Sequence, residues 1–123
     1  MRSLVRIENN RVVYENPRDY SGVIDLEDLS HRTNYRVSEL ARLLGLSTRQ
    51  LQRDFNDGLG VTPKYWLREQ RMRHVYALVC DGFRLKQVAA MTGFRKYENF
   101  VNEVKAFYGV PPQKLSEFEK DED

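Results

Sequence analysis

Residues 36–63 read RVSELARLLGLSTRQLQRDFNDGLGVTP, and residues 84–112 read RLKQVAAMTGFRKYENFVNEVKAFYGVPP. The second stretch repeats the first, with an offset of 48 residues between Gly45 and Gly93 and of 49 residues between Leu51 and Phe100. The chain therefore contains two copies of one structural unit, with one residue inserted after the second glycine. The matching residues are Leu40-Ala41 with Val88-Ala89, Gly45-Leu46 with Gly93-Phe94, Leu51 with Phe100, Phe55 with Val104, Gly60-Val61 with Gly109-Val110, and Pro63 with Pro112.

Each copy predicts two short helices joined by a tight turn. In the first copy, apolar residues at helical spacing end at Gly45, which suits the left-handed position that follows a helix. Ser47 and Gln50 form a capping box that predicts the start of a second helix, and residues 57–60 are expected to end it. Two short helices about a glycine turn are typical of the helix-turn-helix.

A single helix is predicted between the two copies. Pro63 suits the first position of a helix, and apolar residues then follow at helical spacing as far as Asp81-Gly82. Such a helix of about 16 residues is roughly 24 Å long. We expect it to hold the two units at a fixed separation.

The first thirty residues predict a β-hairpin. Residues 4–8 and 11–15 flank Asn9-Asn10, a good two-residue turn. Since an isolated hairpin is marginal in water, its apolar face is expected to pack on a second chain, on another domain, or on the chain's own helices. A loop at Asn16-Pro17 and a short helix around residues 23–29 complete this segment. The hairpin would pair Glu8 with Arg11, Ile7 with Val12 and Val5 with Tyr14, so that Val5, Ile7, Val12 and Tyr14 share one face.

Length and composition are those of a small globular domain. The chain has 123 residues, 41% of them hydrophobic and 31% charged, which predicts one domain or two very small ones. It has neither an apolar run long enough to span a bilayer nor a signal peptide, so a cytoplasmic protein without a membrane partner is expected. One cysteine, Cys80, and two histidines, His31 and His74, predict neither a disulfide nor a metal site.

Charge is unevenly distributed along the chain. The net charge is −2 over residues 1–30, +7 over residues 31–118 and −3 over residues 119–123. A basic body between acidic ends suggests a polyanionic partner, although the solvated surface of an arginine-rich protein would have the same composition.

The repeated motifs resemble the DNA-binding domain of the AraC/XylS family of transcription regulators. The resemblance covers about residues 34–116 and implies an all-α fold of seven helices, in which two helix-turn-helix subdomains are joined by a long connecting helix. Here a short β-hairpin precedes that fold. The motifs include Leu40-Ala41, Gly45-Leu46-Ser47, Leu51-Gln52-Arg53, Leu59-Gly60-Val61-Thr62-Pro63, Trp66-Leu67, Arg71-Met72, Val88-Ala89, Gly93-Phe94 and Tyr108-Gly109-Val110.

The resemblance also suggests how the chain divides. The DNA-binding domain would cover residues 31–118, with helix-turn-helix units at about 36–57 and 84–107 and the connecting helix at about 63–80. A hairpin and lead-in segment would occupy residues 1–30, and an acidic tail residues 119–123. Most family members carry a further effector-binding or dimerisation domain, so this sequence is either a short member or an excised half.

In the first unit, the resemblance assigns base contacts to Arg49, Gln52 and Arg53. Arginine can donate two hydrogen bonds to guanine, and glutamine pairs in the same bidentate way with adenine. The alternative is a solvated helix face on which Arg49 or Arg53 pairs with Asp57. Gln50 is left out because its capping position already explains it.

In the second unit, the predicted base contacts are Tyr97, Glu98 and Asn102, on a helix at about residues 96–107. This helix departs from the family pattern, which has small hydroxyl residues near positions 98 and 101 and often arginine at 102. Glu98 could accept a hydrogen bond from cytosine or cap the helix from its third position, and Asn102 could read adenine or face water. The first unit is therefore expected to supply most of the specificity.

Phosphate contacts are expected from residues near helix starts and on the basic surface. Arg36 and Arg84 stand where the family more often has a serine or threonine cap, and each could instead reach a phosphate. The aromatic residues Trp66, Phe94, Phe100, Phe107 and Tyr108 are expected in the core. The predicted phosphate contacts are Thr48, Lys64, Arg71, Arg95, Lys96 and Lys105.

These observations predict a sequence-specific transcription regulator of bacterial type that reads two adjacent major-groove segments of double-stranded DNA, without catalysis, cofactor or metal. RNA polymerase and a second copy bound through the hairpin are further expected partners. One alternative is a helix-turn-helix module used for protein interaction, which Glu98 and Glu103 suggest. Another is a DNA-repair alkyl acceptor, which is disfavoured because Cys80 lies at an apolar helix end.

Overall fold

The computed structural model describes residues 4–15 and 22–117, so the predicted loop at Asn16-Pro17 and the acidic tail at 119–123 lie outside the described residues. The helices confirm the predicted fold of two helix-turn-helix subdomains and a connecting helix, and the hairpin is part of a three-stranded antiparallel sheet. The seventh helical segment is a single 3-10 turn. The elements of the described part are β1 (Val5–Glu8), β2 (Arg11–Glu15), β3 (Val23–Asp25), α1 (Leu26–Arg32), α2 (Val37–Leu44), α3 (Thr48–Leu59), α4 (Pro63–Cys80), α5 (Leu85–Met91), α6 (Tyr97–Tyr108) and the 3-10 turn Pro112–Lys114.

Two compact units divide the chain, one ending at Gln70 and the other beginning at Arg71. Unit 1 has its own hydrophobic core, and so does unit 2. The predicted core aromatics belong to these clusters: Trp66 and Phe100 are buried, and Phe94, Phe107 and Tyr108 are partly buried against the core of unit 2. The buried residues of the hydrophobic cluster in unit 1 are Val5, Tyr14, Leu26, Tyr35, Leu40, Ala41, Leu44, Leu51, Phe55, Trp66 and Leu67, and those of the cluster in unit 2 are Met72, Val75, Leu78, Val88, Ala89, Phe100, Val104 and Leu115.

The turn of the first helix-turn-helix follows from its glycine and its serine. Gly45 ends α2 in the left-handed conformation, with φ of 71°. Ser47 caps α3, and its hydroxyl oxygen accepts a hydrogen bond from the Gln50 amide at 3.1 Å. The predicted capping box is only half formed, because the Gln50 side chain donates to the Asp54 carboxylate at 2.9 Å instead. The helix continues through Gly58 and ends before Gly60, which is again left-handed.

The second helix-turn-helix also consists of two helices joined at a glycine, but the starts of its helices differ from those of the first. At the start of α5, the Gln87 side-chain oxygen accepts a hydrogen bond from the Arg84 amide at 3.1 Å. After Gly93 the chain enters α6, which begins at Tyr97. Glu98 is therefore the second residue of α6 and not the third, so the prediction that it caps the helix from the third position is wrong.

The N-terminal hairpin has the predicted register, with Val5 opposite Tyr14 and Glu8 opposite Arg11. Both turn residues have positive φ, 53° at Asn9 and 65° at Asn10, as a tight hairpin turn of this length requires. The predicted apolar face is buried only at the base of the hairpin. Val5 and Tyr14 are buried, whereas Ile7 near the tip is 67% exposed and does not belong to the core.

The segment after the hairpin differs from the prediction of a helix around residues 23–29. Residues 23–25 form β3 and pair with β2, so that the second edge of the hairpin is also hydrogen-bonded. Asp25 then caps α1, and its carboxylate accepts hydrogen bonds from the amides of Glu27 and Asp28 at 2.9 and 3.2 Å. The hydrogen bond from Arg11, together with these amides, lowers the pKa of Asp25.

The sheet packs on the helices of its own unit. Strand β1 contacts α3, and β2 contacts α1. The Val12 amide also donates a hydrogen bond to the Glu27 carboxylate of α1 at 3.0 Å. The buried part of the hairpin's apolar face therefore packs on the chain's own helices, which is one of the three arrangements predicted for it.

In unit 2, the buried Tyr108 is expected to make the free energy of unfolding depend on pH in the alkaline range. Its hydroxyl donates a hydrogen bond to the Met72 carbonyl at 2.8 Å, and burial raises the pKa of Tyr108 to about 12. Because an unfolded tyrosine ionises near pH 10, the unfolded chain loses this proton first, and the free energy of unfolding falls as pH rises from about 10 towards 12. Tyr108→Phe is expected to cost about 1 kcal/mol at neutral pH and to make the alkaline loss smaller.

Urea unfolding followed by circular dichroism at neutral and alkaline pH checks this prediction. The stabilities of the wild type and of Tyr108→Phe should converge as pH rises. Two parallel pH profiles would contradict it.

Candidate nucleic-acid interface

Helix α3 presents one polar face, and its opposite face is buried. Leu51 and Phe55 on the inner face are fully buried. The three side chains predicted to contact bases, Arg49, Gln52 and Arg53, are all exposed, and their spacing of three and four residues places them on one side of the helix. Thr48, a predicted phosphate contact, is exposed at the first position of α3.

The predicted alternative for this face was ion pairing along the helix. The described residues, 4–15 and 22–117, form several ion pairs, and none of these pairs involves Arg49, Arg53 or Asp57. The arginines of α1 and α2 differ, since Arg32 pairs with Asp28 and Arg42 with Glu39. Two guanidinium groups on α3 therefore have no acidic partner on the described surface.

Unit 2 has an open cavity of about 550 Å³ beside the turn and α6 of its helix-turn-helix. Three of the predicted contacts, Arg71, Arg95 and Asn102, lie there together with Asn99. Asn99 is exposed and was not among the predicted base contacts, although its spacing of three residues from Asn102 could have indicated it. The lining residues are Arg71, Gly93, Phe94, Arg95, Asn99, Asn102, Glu103 and Ala106.

Arg71 forms one wall of this cavity. Its Nε donates a hydrogen bond to the Thr92 carbonyl at 2.8 Å, and its guanidinium carbon lies 3.5 Å from the centre of the Phe94 ring. A cation over an aromatic face gains electrostatic energy, and the carbonyl at the end of α5 gains a donor. These contacts fix the guanidinium on the turn of unit 2.

Tyr97 and Glu98, the other predicted base contacts of unit 2, are not among the residues that line the cavity. Tyr97 is half-buried against the core of unit 2, with its ring centre 5.5 Å from that of Phe100. Glu98 is exposed in the first turn of α6. The structure thus places Asn102, but neither Tyr97 nor Glu98, beside the basic side chains of the cavity.

Comparison with known proteins identifies the arrangement. A family model described as a helix-turn-helix domain matches residues 40–117, which include both helix-turn-helix units except for the first residues of α2. This chain belongs to the AraC-type helix-turn-helix family. The AraC-type chain is thus a DNA-binding transcription regulator. No curated protein sequence matches it.

Solved structures share the fold of the AraC-type chain at low sequence identity. The C-terminal domain of the two-component response regulator yesN from Fusobacterium nucleatum is 22% identical, with a TM-score of 0.66 over 74% of this chain and 90% of that one. A DNA-binding transcriptional dual regulator from Escherichia coli K-12 is 20% identical, with a TM-score of 0.64 over 78% and 89% of the two chains. A transcriptional regulator with an AraC-type DNA-binding domain from Chromobacterium violaceum is 22% identical, with a TM-score of 0.61 over 72% and 83%.

The remaining predicted phosphate contacts of the AraC-type chain are all on its surface. Lys64 is exposed in the first turn of α4, Lys96 is exposed just before α6, and Arg95 and Lys105 are exposed as well. Arg36 and Arg84 precede α2 and α5, and neither side chain makes a capping hydrogen bond. Both side chains are exposed at the start of a helix, where the backbone amides also favour an anion.

Residues 4–15 and 22–117 contain no group of three acidic, histidine or cysteine side chains that could hold a metal ion. None of their helices combines the length and the hydropathy needed to cross a bilayer. Cys80 is half-buried at the end of α4.

Proposed function

We propose that the AraC-type chain reads two adjacent major-groove segments of one DNA duplex, with α3 supplying most of the sequence specificity. The observation that carries this proposal is the exposed set of Arg49, Gln52 and Arg53 on a helix whose opposite face is fully buried. Arginine and glutamine on one helix face have the donors that guanine and adenine edges bind in the major groove.

The second reader is α6, with Asn102 and Asn99 as its base contacts and with Tyr97 and Glu98 as the further predicted ones. Asparagine pairs bidentately with adenine, and two asparagines lie in the cavity that also holds Arg71 and Arg95. Two helix-turn-helix units on one duplex would cover about 20 base pairs.

Phosphate contacts would fix the register of the two readers. We assign them to the exposed side chains of Thr48, Lys64, Arg95, Lys96 and Lys105, and to Arg71 on the turn of unit 2. Each such contact releases a counterion, so binding should weaken as salt rises. We keep the proposed division into residues 1–30, 31–118 and 119–123, with the DNA contacts confined to the middle part.

Selection from a pool of random duplexes of about 25 base pairs tests the proposal. Two enriched half-sites about ten base pairs apart would support reading by both units. A single half-site would leave α3 as the only base reader and overturn the assignment to α6. No enrichment at all would overturn the proposed function and favour a module that binds proteins, for which the exposed Glu98 on α6 is the supporting feature.

Two further partners belong to the same proposal. RNA polymerase is the expected protein partner of a transcription regulator, and the site of action would be the cytoplasm, where bacterial DNA lies. A second copy would have to use surface outside the buried base of the hairpin. Light scattering on the free protein and on its complex with the selected duplex tests the dimer, and one copy in both states would overturn it.

A further inference from the structure

The inner side of α3 has an unusual residue where it meets the N-terminal sheet. Gly58 lies within the helix, where glycine is less favourable than alanine by roughly 1 kcal/mol. A Cβ atom at this position would lie 1.7 Å from the carbonyl oxygen of Val5 and 2.6 Å from its carbonyl carbon. Backbone therefore meets backbone here, and only glycine permits the approach.

A second residue of the sheet lies in the hydrophobic core that α3 also enters. Tyr14 of β2 is only 2% exposed in the core that also contains Leu51 and Phe55 of α3. Burial, and after it the negative charge of Asp54, raises the pKa of Tyr14, so the phenol lies near the inner face of this helix. Asp54 is itself buried, and its second carboxylate oxygen has no hydrogen-bond partner among the described atoms.

The internal repeat shows what replaces this sheet in unit 2. With the offset of 49 residues, the position that corresponds to Gly58 of α3 is Phe107 of α6. Phe107 packs its own side chain against the core of unit 2. In unit 1 the equivalent position has no side chain, and the carbonyl group of Val5 lies against it. At this position α3 thus packs against the backbone of the sheet, whereas α6 packs its own Phe107 side chain into the core.

These contacts lie behind the face of α3 that carries Arg49, Gln52 and Arg53. We propose that the N-terminal sheet orients α3 for reading DNA, with Val5 and Tyr14 as positioning residues for the base contacts. The proposal rests on the proposed function, since it concerns the orientation of the helix that would read bases. A bidentate contact depends on the position of the guanidinium fork, so a small displacement of α3 lowers specific binding, whereas contacts to phosphate tolerate it.

The test compares three single variants in the full chain. Gly58→Ala introduces a methyl group against the Val5 carbonyl, and Val5→Ala removes buried side-chain volume from the same strand. Ile7→Ala is the matched control, because Ile7 lies on β1 but is 67% exposed. For each protein, affinity is measured for the duplex selected from the random pool and for a scrambled duplex, at a temperature where circular dichroism shows the protein folded.

The expected result is a fall of about tenfold in the ratio of selected to scrambled affinity for Gly58→Ala and Val5→Ala, the size of one lost bidentate contact. Affinity for the scrambled duplex and both affinities of Ile7→Ala should be unchanged. Should one of the two variants fail to fold, the other decides.

The other outcomes separate the two proposals. If the wild type selects a sequence and both variants keep its ratio of affinities, the positioning role is wrong while the proposed function stands. If affinities for both duplexes fall together, the sheet contributes to stability only, and the positioning role is again wrong. If the wild type selects no sequence, the proposed function fails, and the positioning role fails with it.

Discussion

Replacing Arg49 and Arg53 together by alanine is expected to lower affinity for the selected duplex by at least about 30-fold, since each bidentate pair with a base contributes roughly 1–3 kcal/mol. Both side chains are exposed on α3, and neither forms an ion pair with a described acidic residue. Their loss should therefore be felt in DNA binding and hardly in stability. Fluorescence anisotropy with the selected and the scrambled duplex measures the effect.

The control for this prediction is the double variant Arg32→Ala/Arg42→Ala. It removes the same amount of positive charge, but from two exposed arginines that lie outside α3. Arg32 pairs with Asp28 within α1, and Arg42 pairs with Glu39 within α2. The general attraction of the protein for DNA falls equally in both double variants, so the difference between them isolates the base contacts. Equal losses in the two double variants would contradict the assignment of base reading to α3.

Phe100→Ala is expected to have the largest effect on folding, a loss of about 3–5 kcal/mol from unit 2. Phe100 is fully buried and packs with Phe94 and Tyr97 in the second core, whose buried residues all follow Gln70. Trp66, the single tryptophan, lies in the core of unit 1 against Phe55. Unfolding followed by circular dichroism should therefore show two steps, while tryptophan fluorescence changes only in the second step.

Phe83→Ala is the control for this experiment, because Phe83 precedes α5 and is 42% exposed. It should unfold like the wild type by both probes. If the two probes give one coincident transition for Phe100→Ala, the two cores do not unfold separately, and the prediction is wrong.

The features that the sequence predicted well depend on short-range signals. Gly45 and Gly60 end their helices in the left-handed conformation, and Ser47 caps α3, because these local geometries depend on one or two residues. The hairpin register also follows locally from Asn9 and Asn10, whose positive φ values fix the turn.

The features that were missed depend on contacts between residues far apart in sequence. Residues 23–25 form a strand because the open edge of β2 lies beside them, and nothing within those three residues shows it. Residues 57–60 correctly predicted the end of α3, but nothing near Gly58 in sequence indicates that it lies against the carbonyl group of Val5, more than fifty residues earlier in the chain. Gln50 is a local exception: the sequence assigned its side chain to the cap of α3, but that side chain donates a hydrogen bond to Asp54, one turn further along the same helix.

The candidate site shows the same division between local and distant signals. Helical spacing correctly placed Arg49, Gln52 and Arg53 on the exposed face of α3. It could not separate Tyr97, which turns its ring towards Phe100, from Asn99, which lies in the cavity. That distinction depends on which side of α6 packs against the core. Helical spacing defines an exposed face only approximately, so it does not show which residues at the edges of that face are buried.

The position of the first core along the chain has a consequence for folding during synthesis on the ribosome. Every buried residue of this core lies at or before Leu67, and the supporting sheet is the first element of the described chain. Chains are synthesised at about 5–20 residues per second, and their N-terminal parts generally fold first. A nascent chain is therefore expected to carry a folded α3, already resting on its sheet, while α6 is still being translated.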